Sequence, residues 1–197
     1  MKKFLLFFLV FFLNNAYSQS NISARFFFVS TNFTLDKNNI LYKTNIIPEG
    51  FLTFEPGINL SAEFFQDEDI SLKFMTAFFM DPTTSLSLNL TIMLRFRFYF
   101  VLRNYFTIGL GPSFFARNSW ERFPNYQNID KFKTYNNIQY RLWGVSGEFE
   151  YCRILTKTTD FCISVNHLHP YSATVCVGLK YWFSRKSRKC NTCPSFH

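Results

Sequence analysis

The residues of this sequence that are most able to do covalent chemistry are its five cysteines. Cys152 and Cys162 flank a turn-like segment near residue 157, and a hairpin there would place them opposite each other, within reach of a disulfide. Cys190 and Cys193 form a CxxC pattern close to the end of the chain, and His197 follows them. A zinc site needs four ligands as a rule. Three ligands therefore predict a local disulfide or a partner contact here, with no metal site and no cofactor.

Several segments of the sequence have one apolar face. Charged side chains recur at alternate positions on the opposite face. They are Arg25, Glu55, Glu63, Lys73, Arg95, Arg97, Glu148, Glu150 and Lys180. Cations and acids that are enclosed together are tolerated when they pair, so the mixture predicts a network of ion pairs in a protein interior. The three cysteines at 152, 162 and 176 fall on the same inward phase, where the alternative to a disulfide is a role as small fillers.

These side chains need an element of regular structure to position them, and the segment from Ser85 to Phe100 indicates the type of that element. Its even positions from Leu86 to Phe100 are all apolar, whereas its odd positions carry hydroxyl, amide and guanidinium groups with one methionine. A period of two is typical of a β-strand with one apolar face. At a rise of about 3.3 Å per residue the strand is about 50 Å long, which exceeds the usual soluble strand and is enough to cross a bilayer at a tilt. We therefore expect a transmembrane strand.

The same alternation recurs eight times along the chain. The predicted strands are 21–34, 51–65, 70–80, 85–100, 105–114, 137–152, 161–166 and 173–183. A change of phase near Leu142 and Trp143 predicts a bulge in the sixth strand or an extension of that strand beyond the membrane. The long connections, 35–50 and 117–136, both fall at one end, and the other end has the short turns 66–69, 101–103 and 155–159. An even number of strands with long loops at one end predicts an all-β fold, an eight-stranded antiparallel up-and-down transmembrane β-barrel over residues 19–183.

The two ends of the chain have separate compositions. Residues 1–18 have the order of a secretory signal peptide, with Lys2 and Lys3 before an apolar run too short to span a membrane as a helix. Residues 184–197 form a basic tail that contains the CxxC pattern and predicts a contact with anionic lipid or with a periplasmic or envelope protein. The formal charge of +8 becomes +6 once Lys2 and Lys3 leave with the signal peptide. Export excludes nucleic acid as a partner.

The last predicted strand, CVGLKYWF, carries Gly178, Tyr181 and Phe183. It resembles the C-terminal signal by which the barrel-assembly machinery recognises outer-membrane proteins. Together with the segments EPGINLS and GLGPSFF, it makes residues 20–183 resemble the small eight-stranded barrel superfamily that includes the OmpA transmembrane domain, OmpX and the lipid A deacylase PagL. The resemblance implies the outer membrane of a Gram-negative cell, both termini in the periplasm, and contact with membrane lipid and lipopolysaccharide. The tail departs from the pattern, because the assembly signal usually ends the chain.

The resemblance to PagL implies candidate catalytic residues for acyl-ester hydrolysis. PagL-like enzymes use a Ser, a His and a Glu on the outer part of the barrel, and His167, His169, Ser172 and Glu148 are the candidates here. PagL's His and Ser are two residues apart, whereas His169 and Ser172 are three apart. We therefore favour a structural or adhesive role through loops 35–50 and 117–136. A deacylase-like enzyme and a narrow channel or envelope-complex subunit remain the alternatives.

Overall fold

Alternating residues build a closed antiparallel β-barrel. The computed structural model describes residues 19–32, 38–47, 51–65, 69–100, 103–128, 132–169 and 172–185. The strands are β1 Ser20–Asn32, β2 Leu52–Phe65, β3 Ile70–Met80, β4 Leu86–Tyr99, β5 Asn104–Asn118, β6 Lys133–Tyr135, β7 Ile138–Ile154, β8 Thr159–His169 and β9 Ser172–Ser184. Two short 3₁₀ helices span Asn39–Leu41 and Trp120–Arg122. No helix in the described part of the chain is long and apolar enough to cross a membrane.

Eight of the nine strands found in the described residues form the wall of the barrel. Consecutive wall strands pair antiparallel, β1 pairs with β9, and the ring closes where β5 pairs with β7. The predicted eight-stranded antiparallel barrel is confirmed. The sequence pattern does not show β6, a three-residue strand that pairs only with the start of β7, because three exposed residues are too few to establish a period.

The alternation of each strand separates an apolar outer surface from a polar interior. In β4, the side chains at even positions from Leu86 to Phe98 are partly or largely exposed and those at odd positions through Arg97 are buried. Large apolar side chains that are at least 40% exposed occur on every wall strand, among them Phe26, Leu60, Phe78, Ile92, Leu110, Phe149, Val165 and Leu179. An outer surface of this kind suits a lipid environment.

Two of the register shifts in the described strands change which residues face inward. The β1 register shifts between Phe27 and Val29, so that Ser30 and Asn32 are buried and Thr31 is partly exposed. Simple alternation places Thr31 inside, and this prediction is wrong above the bulge. The second shift lies between Ser113 and Phe115 of β5, opposite residues 141–144 of β7, and it confirms the bulge predicted near Leu142.

Gly178 allows close contact between β9 and β1. A Cβ atom at this position would collide with the Ala24 carbonyl oxygen and lie 2.6 Å from Arg25 Cα. A side chain at this position would push apart β1 and β9, the first and last strands of the barrel. Tyr181 and Phe183 point outward from the same strand, and their ring centroids are 5.6 Å apart.

Candidate functional site

The interior side chains form three layers between the two ends of the barrel. We call the end with the connections 81–85 and 119–137 the loop end, and the end with Ser20, Ser184 and the turn 155–158 the terminal end. An eight-stranded barrel is just wide enough for its inward side chains to fill. The packing of these layers therefore determines whether an ion or small molecule can pass through the barrel.

The middle layer is an ion-pair network in which Glu148 and Glu150 each contact three cations. Lys73 Nζ lies 2.7 Å from Glu148 Oε2, Arg25 Nη1 lies 2.5 Å from Oε1, and Arg95 Nε lies 3.3 Å from Oε2. Ser164 Oγ accepts a further hydrogen bond of 2.8 Å from Arg25 Nη1. Three cations from three different strands thus meet at one carboxylate.

Glu63 and Glu150 extend the network across the interior. Arg95 lies 2.9 Å from Glu63 Oε1 and 2.5 Å from Glu150 Oε2, and Lys180 Nζ lies 2.7 Å from Glu150 Oε2. Arg25 Nη2 adds a contact of 2.9 Å to Glu150 Oε1. These side chains are at most 1% exposed. The network joins β1, β2, β3, β4, β7 and β9 at one level.

Arg97 points into the interior but forms no ion pair within the described part of the chain. Its guanidinium carbon lies 3.9 Å from the Phe65 ring centroid, 4.7 Å from that of Trp182 and 4.8 Å from that of Tyr105. Its Nη1 donates a hydrogen bond of 3.0 Å to the Tyr99 hydroxyl. The mixture of inward charges predicts a carboxylate partner for Arg97. In the structure, aromatic ring faces surround its guanidinium group instead.

Asp160 completes the layer at the terminal end. Its Oδ2 accepts hydrogen bonds from the Tyr105 hydroxyl at 2.6 Å and from Trp182 Nε1 at 2.7 Å, and Arg185 also donates to it. Arg185, in the first residues of the predicted tail, is thereby attached to the barrel. Residues 186–197, with Cys190 and Cys193, lie outside the described residues, as do residues 1–18.

Glu55, towards the loop end, is the other predicted network member that forms no ion pair with a described residue. It is buried, and its Oε1 accepts a hydrogen bond of 2.6 Å from Thr53 Oγ1. Of the nine predicted network members, the structure therefore brings seven together and keeps Glu55 and Arg97 apart from them. Alternation predicts whether a side chain points into the barrel or outward. Its position along the barrel axis depends on how neighbouring strands are staggered.

The Cys152 and Cys162 sulfurs are bonded, and the two residues are direct partners of β7 and β8 with Cα atoms 4.2 Å apart. The disulfide is fully buried in a cluster with Phe65, Tyr105 and Trp182. Cys176 is a free, buried thiol that accepts a hydrogen bond of 3.2 Å from Asn166 Nδ2.

At the loop end, Asp81 is buried and organises the turn between β3 and β4. Its Oδ1 accepts hydrogen bonds of 3.0 Å from Thr83 N and 2.9 Å from Ser85 N. Its Oδ2 accepts one of 2.8 Å from Trp120 Nε1, which belongs to the next long connection. The guanidinium of Arg117 lies 3.5 Å from the Trp120 ring centroid. A short turn and a long loop are thus tied together.

The two long connections also pack against each other. Asn38 donates from Nδ2 to Gln127 O at 3.0 Å and accepts from Gln127 N at 2.9 Å. The Tyr42 and Trp120 rings meet edge to face with centroids 6.2 Å apart. The sequence predicts loops 35–50 and 117–136 as the surfaces most free to contact a partner, and in the structure described residues of both loops also pack into one cap. A weak signal of this packing is Trp120 itself, a large aromatic residue in an otherwise polar loop.

Two cations converge on one ring at the surface of this cap. Lys43 Nζ lies 5.3 Å and the Arg122 guanidinium carbon 4.9 Å from the Phe123 ring centroid. Arg122 also donates a hydrogen bond of 2.7 Å to Ser85 Oγ. Both cations are exposed, and neither forms an ion pair with a described residue. Their positive charge is therefore available to a ligand, and we call Lys43, Arg122 and Phe123 the cation pair site.

Among the described side chains, the candidate catalytic residues are not assembled. Glu148 is held in the interior by its cations, whereas His167 lies on the opposite phase of the wall and its Nδ1 is 3.1 Å from Val145 O. Ser172 is buried and pairs with His169 in the β8–β9 register. The side chain of His169 lies outside the part of the chain that is described.

The fold and the filled interior define the class: this chain has the fold of the small eight-stranded outer-membrane β-barrels. No family model matches the chain, and a search of curated proteins gives no match. Among solved structures it is similar to Ail, the attachment invasion locus protein of Yersinia pestis, in complex with the heparin analogue sucrose octasulfate. The identity is 12% and the TM-score 0.50, over 84% of this chain and 99% of that one. Neisserial surface protein A has 8% identity and a TM-score of 0.51, over 82% and 96% of the two chains. At these identities the likeness establishes the fold.

Proposed function

We propose that this protein is a structural or adhesive barrel of the outer membrane, and that its loop end binds a polyanionic saccharide. The observation that carries the proposal is the cation pair site, where Lys43 and Arg122 are exposed, close to one ring and unpaired with any described acid. Both cations lie near the same ring, so a sulfate or phosphate group bound at this site would be attracted by both charges.

The membrane part of the proposal is supported by the outer surface. Apolar residues cover the wall on all strands, and the interior has the charge that a soluble protein would place outside. The similar structures are outer-membrane proteins, which supports the same location here. In that orientation the loop end faces outward and both termini are periplasmic, where the β9 segment would be available to the barrel-assembly machinery.

The ligand class is supported by the chemistry of the loop end. Lys133 adds a third exposed cation in the same region. Ail, which has the same fold, was crystallised with a heparin analogue. Sulfated polysaccharides and the phosphorylated sugars of lipopolysaccharide present the same kind of anion.

A heparin-affinity experiment tests the proposal. Folded protein in neutral detergent is applied to immobilised heparin and eluted with salt, and the double variant Lys43→Gln/Arg122→Gln is compared with Arg153→Gln/Lys157→Gln at the other end. We expect the first variant to elute at clearly lower salt than the second, which loses the same amount of positive charge at the other end. Equal elution of the two variants would overturn the proposed ligand site.

The alternative functions receive less support from the geometry. A channel needs an open path, whereas the middle layer fills the interior with paired side chains. A deacylase needs its acid beside its histidine, whereas Glu148 and His167 lie on opposite faces of the wall. We therefore propose neither.

A further inference from the structure

A second group of exposed cations lies at the terminal end, on one side of the barrel. Arg103 is in the turn before β5, Arg153 is near the end of β7, and Lys157 is in the turn before β8. The backbone links them, since Ile154 N donates a hydrogen bond of 2.8 Å to Arg103 O, and Arg153 is the β-partner of Asn104. We call Arg103, Arg153 and Lys157 the basic rim.

No acid that the structure describes neutralises the basic rim. Asp160 is buried, and its Oδ2 is occupied by Tyr105, Trp182 and Arg185. Asp69 is in the connection before β3, which is separated from β5 by β4 in the strand order. None of the three rim cations forms an ion pair with a described residue.

Aromatic rings border the basic rim on the side of the apolar surface. Phe106 contacts Tyr151, Phe149 and Phe100, with ring centroids 5.2, 5.4 and 5.3 Å apart. The Tyr151 hydroxyl donates a hydrogen bond of 2.9 Å to Asn104 Oδ1. Girdles of aromatic residues mark the boundary between the hydrocarbon and the headgroups. The cations beyond this group are therefore at headgroup depth.

We propose that the basic rim binds the phosphate of an anionic phospholipid in the leaflet at the terminal end. Its three cations would face the headgroup while Phe106 and its neighbouring rings contact the acyl chains. Each cation near a membrane surface strengthens such binding about fivefold at low salt. The inference rests on the membrane-spanning part of the proposed function and is independent of the loop-end ligand.

Native mass spectrometry of the full folded protein tests this inference. Delipidated protein in neutral detergent is mixed with phosphatidylglycerol or with phosphatidylethanolamine of the same acyl chains. The unaltered protein is compared with Arg103→Gln/Arg153→Gln/Lys157→Gln and with the matched loop-end variant Lys43→Gln/Arg122→Gln/Lys133→Gln. A shift between unheated and boiled samples on a gel verifies that each variant is folded.

We expect the unaltered protein to retain phosphatidylglycerol preferentially, and the loop-end variant, which loses the same charge, to retain more of it than the rim variant does. The rim variant should bind it at least tenfold more weakly, with the difference decreasing as salt rises. A lack of lipid preference in the unaltered protein, or equal retention by the rim and loop-end variants, would overturn the inference and leave an acidic protein as the partner to seek. A protein that shows no heat shift would instead refute the barrel in the proposed function.

Discussion

Glu148 is one of two interior acids, with Glu150, that each contact three cations. Its two oxygens lie within 3.3 Å of groups from Arg25, Lys73 and Arg95. A buried charge that has lost its partner is strongly destabilising, because it cannot be hydrated. The middle layer should therefore be sensitive to this one residue.

We expect Glu148→Gln to lower the free energy of unfolding by about 3 to 5 kcal/mol, because three cations would lose their common carboxylate. The measurement is urea unfolding of the barrel in lipid vesicles, followed by tryptophan fluorescence. Ser164→Ala is the matched control, since it removes one neutral acceptor from Arg25 and should cost about 1 kcal/mol. Similar losses for both variants would contradict the central role of Glu148.

At the scale of elements, the loop end behaves in this structure as one packed unit. Asn38 makes two hydrogen bonds with the backbone of Gln127, and those bonds join connections that are 89 residues apart in sequence. Asp81 makes a similar link to Trp120. The cap is thus held by a few polar contacts on top of the barrel.

Asn38→Ala should loosen the cap and leave the barrel intact. We expect faster trypsin cleavage within residues 38–47 and 119–128 with an unchanged temperature for the heat shift on a gel. Asn39→Ala is the control, because the Asn39 side chain makes no hydrogen bond with a described residue. Equal cleavage rates for the two variants would show that the Asn38 contacts do not hold the loops together.

The β7–β8 hairpin is closed by the disulfide as well as by its backbone ladder. Replacing both residues, Cys152→Ala/Cys162→Ala, should lower the free energy of unfolding by about 2 to 4 kcal/mol. Cys176→Ala serves as the control for loss of a buried sulfur without loss of a cross-link. Peptide mapping of protein prepared under oxidising conditions checks that the bond is present. Finding Cys152 and Cys162 unlinked would contradict the disulfide and the stabilisation expected from it.

The wall of the barrel is more predictable from the sequence than the cap, for a physical reason. Alternation follows from strand geometry, so the sequence alone identifies the inward face of Arg25, Lys73 and Glu148. The contact of Trp120 with Asp81 depends on how irregular loops fold in space, and no periodic pattern in the sequence predicts it. The β1 bulge reverses the inward phase above Phe27, which shows that alternation holds only between bulges.

At the scale of the whole molecule, the layers close the barrel along its length. The aromatic and Arg97 layer lies at one end, the ion-pair network at the middle and the packed loops at the other end. We therefore expect no protein-dependent current steps when the folded barrel is reconstituted in planar bilayers. Reproducible steps that are absent with boiled protein would contradict a filled interior.

A closed barrel embedded in the outer membrane keeps its folded shape in detergent until it is heated. The most direct test is gel electrophoresis of protein extracted from isolated outer membranes, with unheated and boiled samples run side by side. We predict a detergent-dependent extraction and a folded band that migrates differently until it is boiled. Extraction by salt alone, together with identical migration of the two samples, would contradict the membrane-embedded barrel.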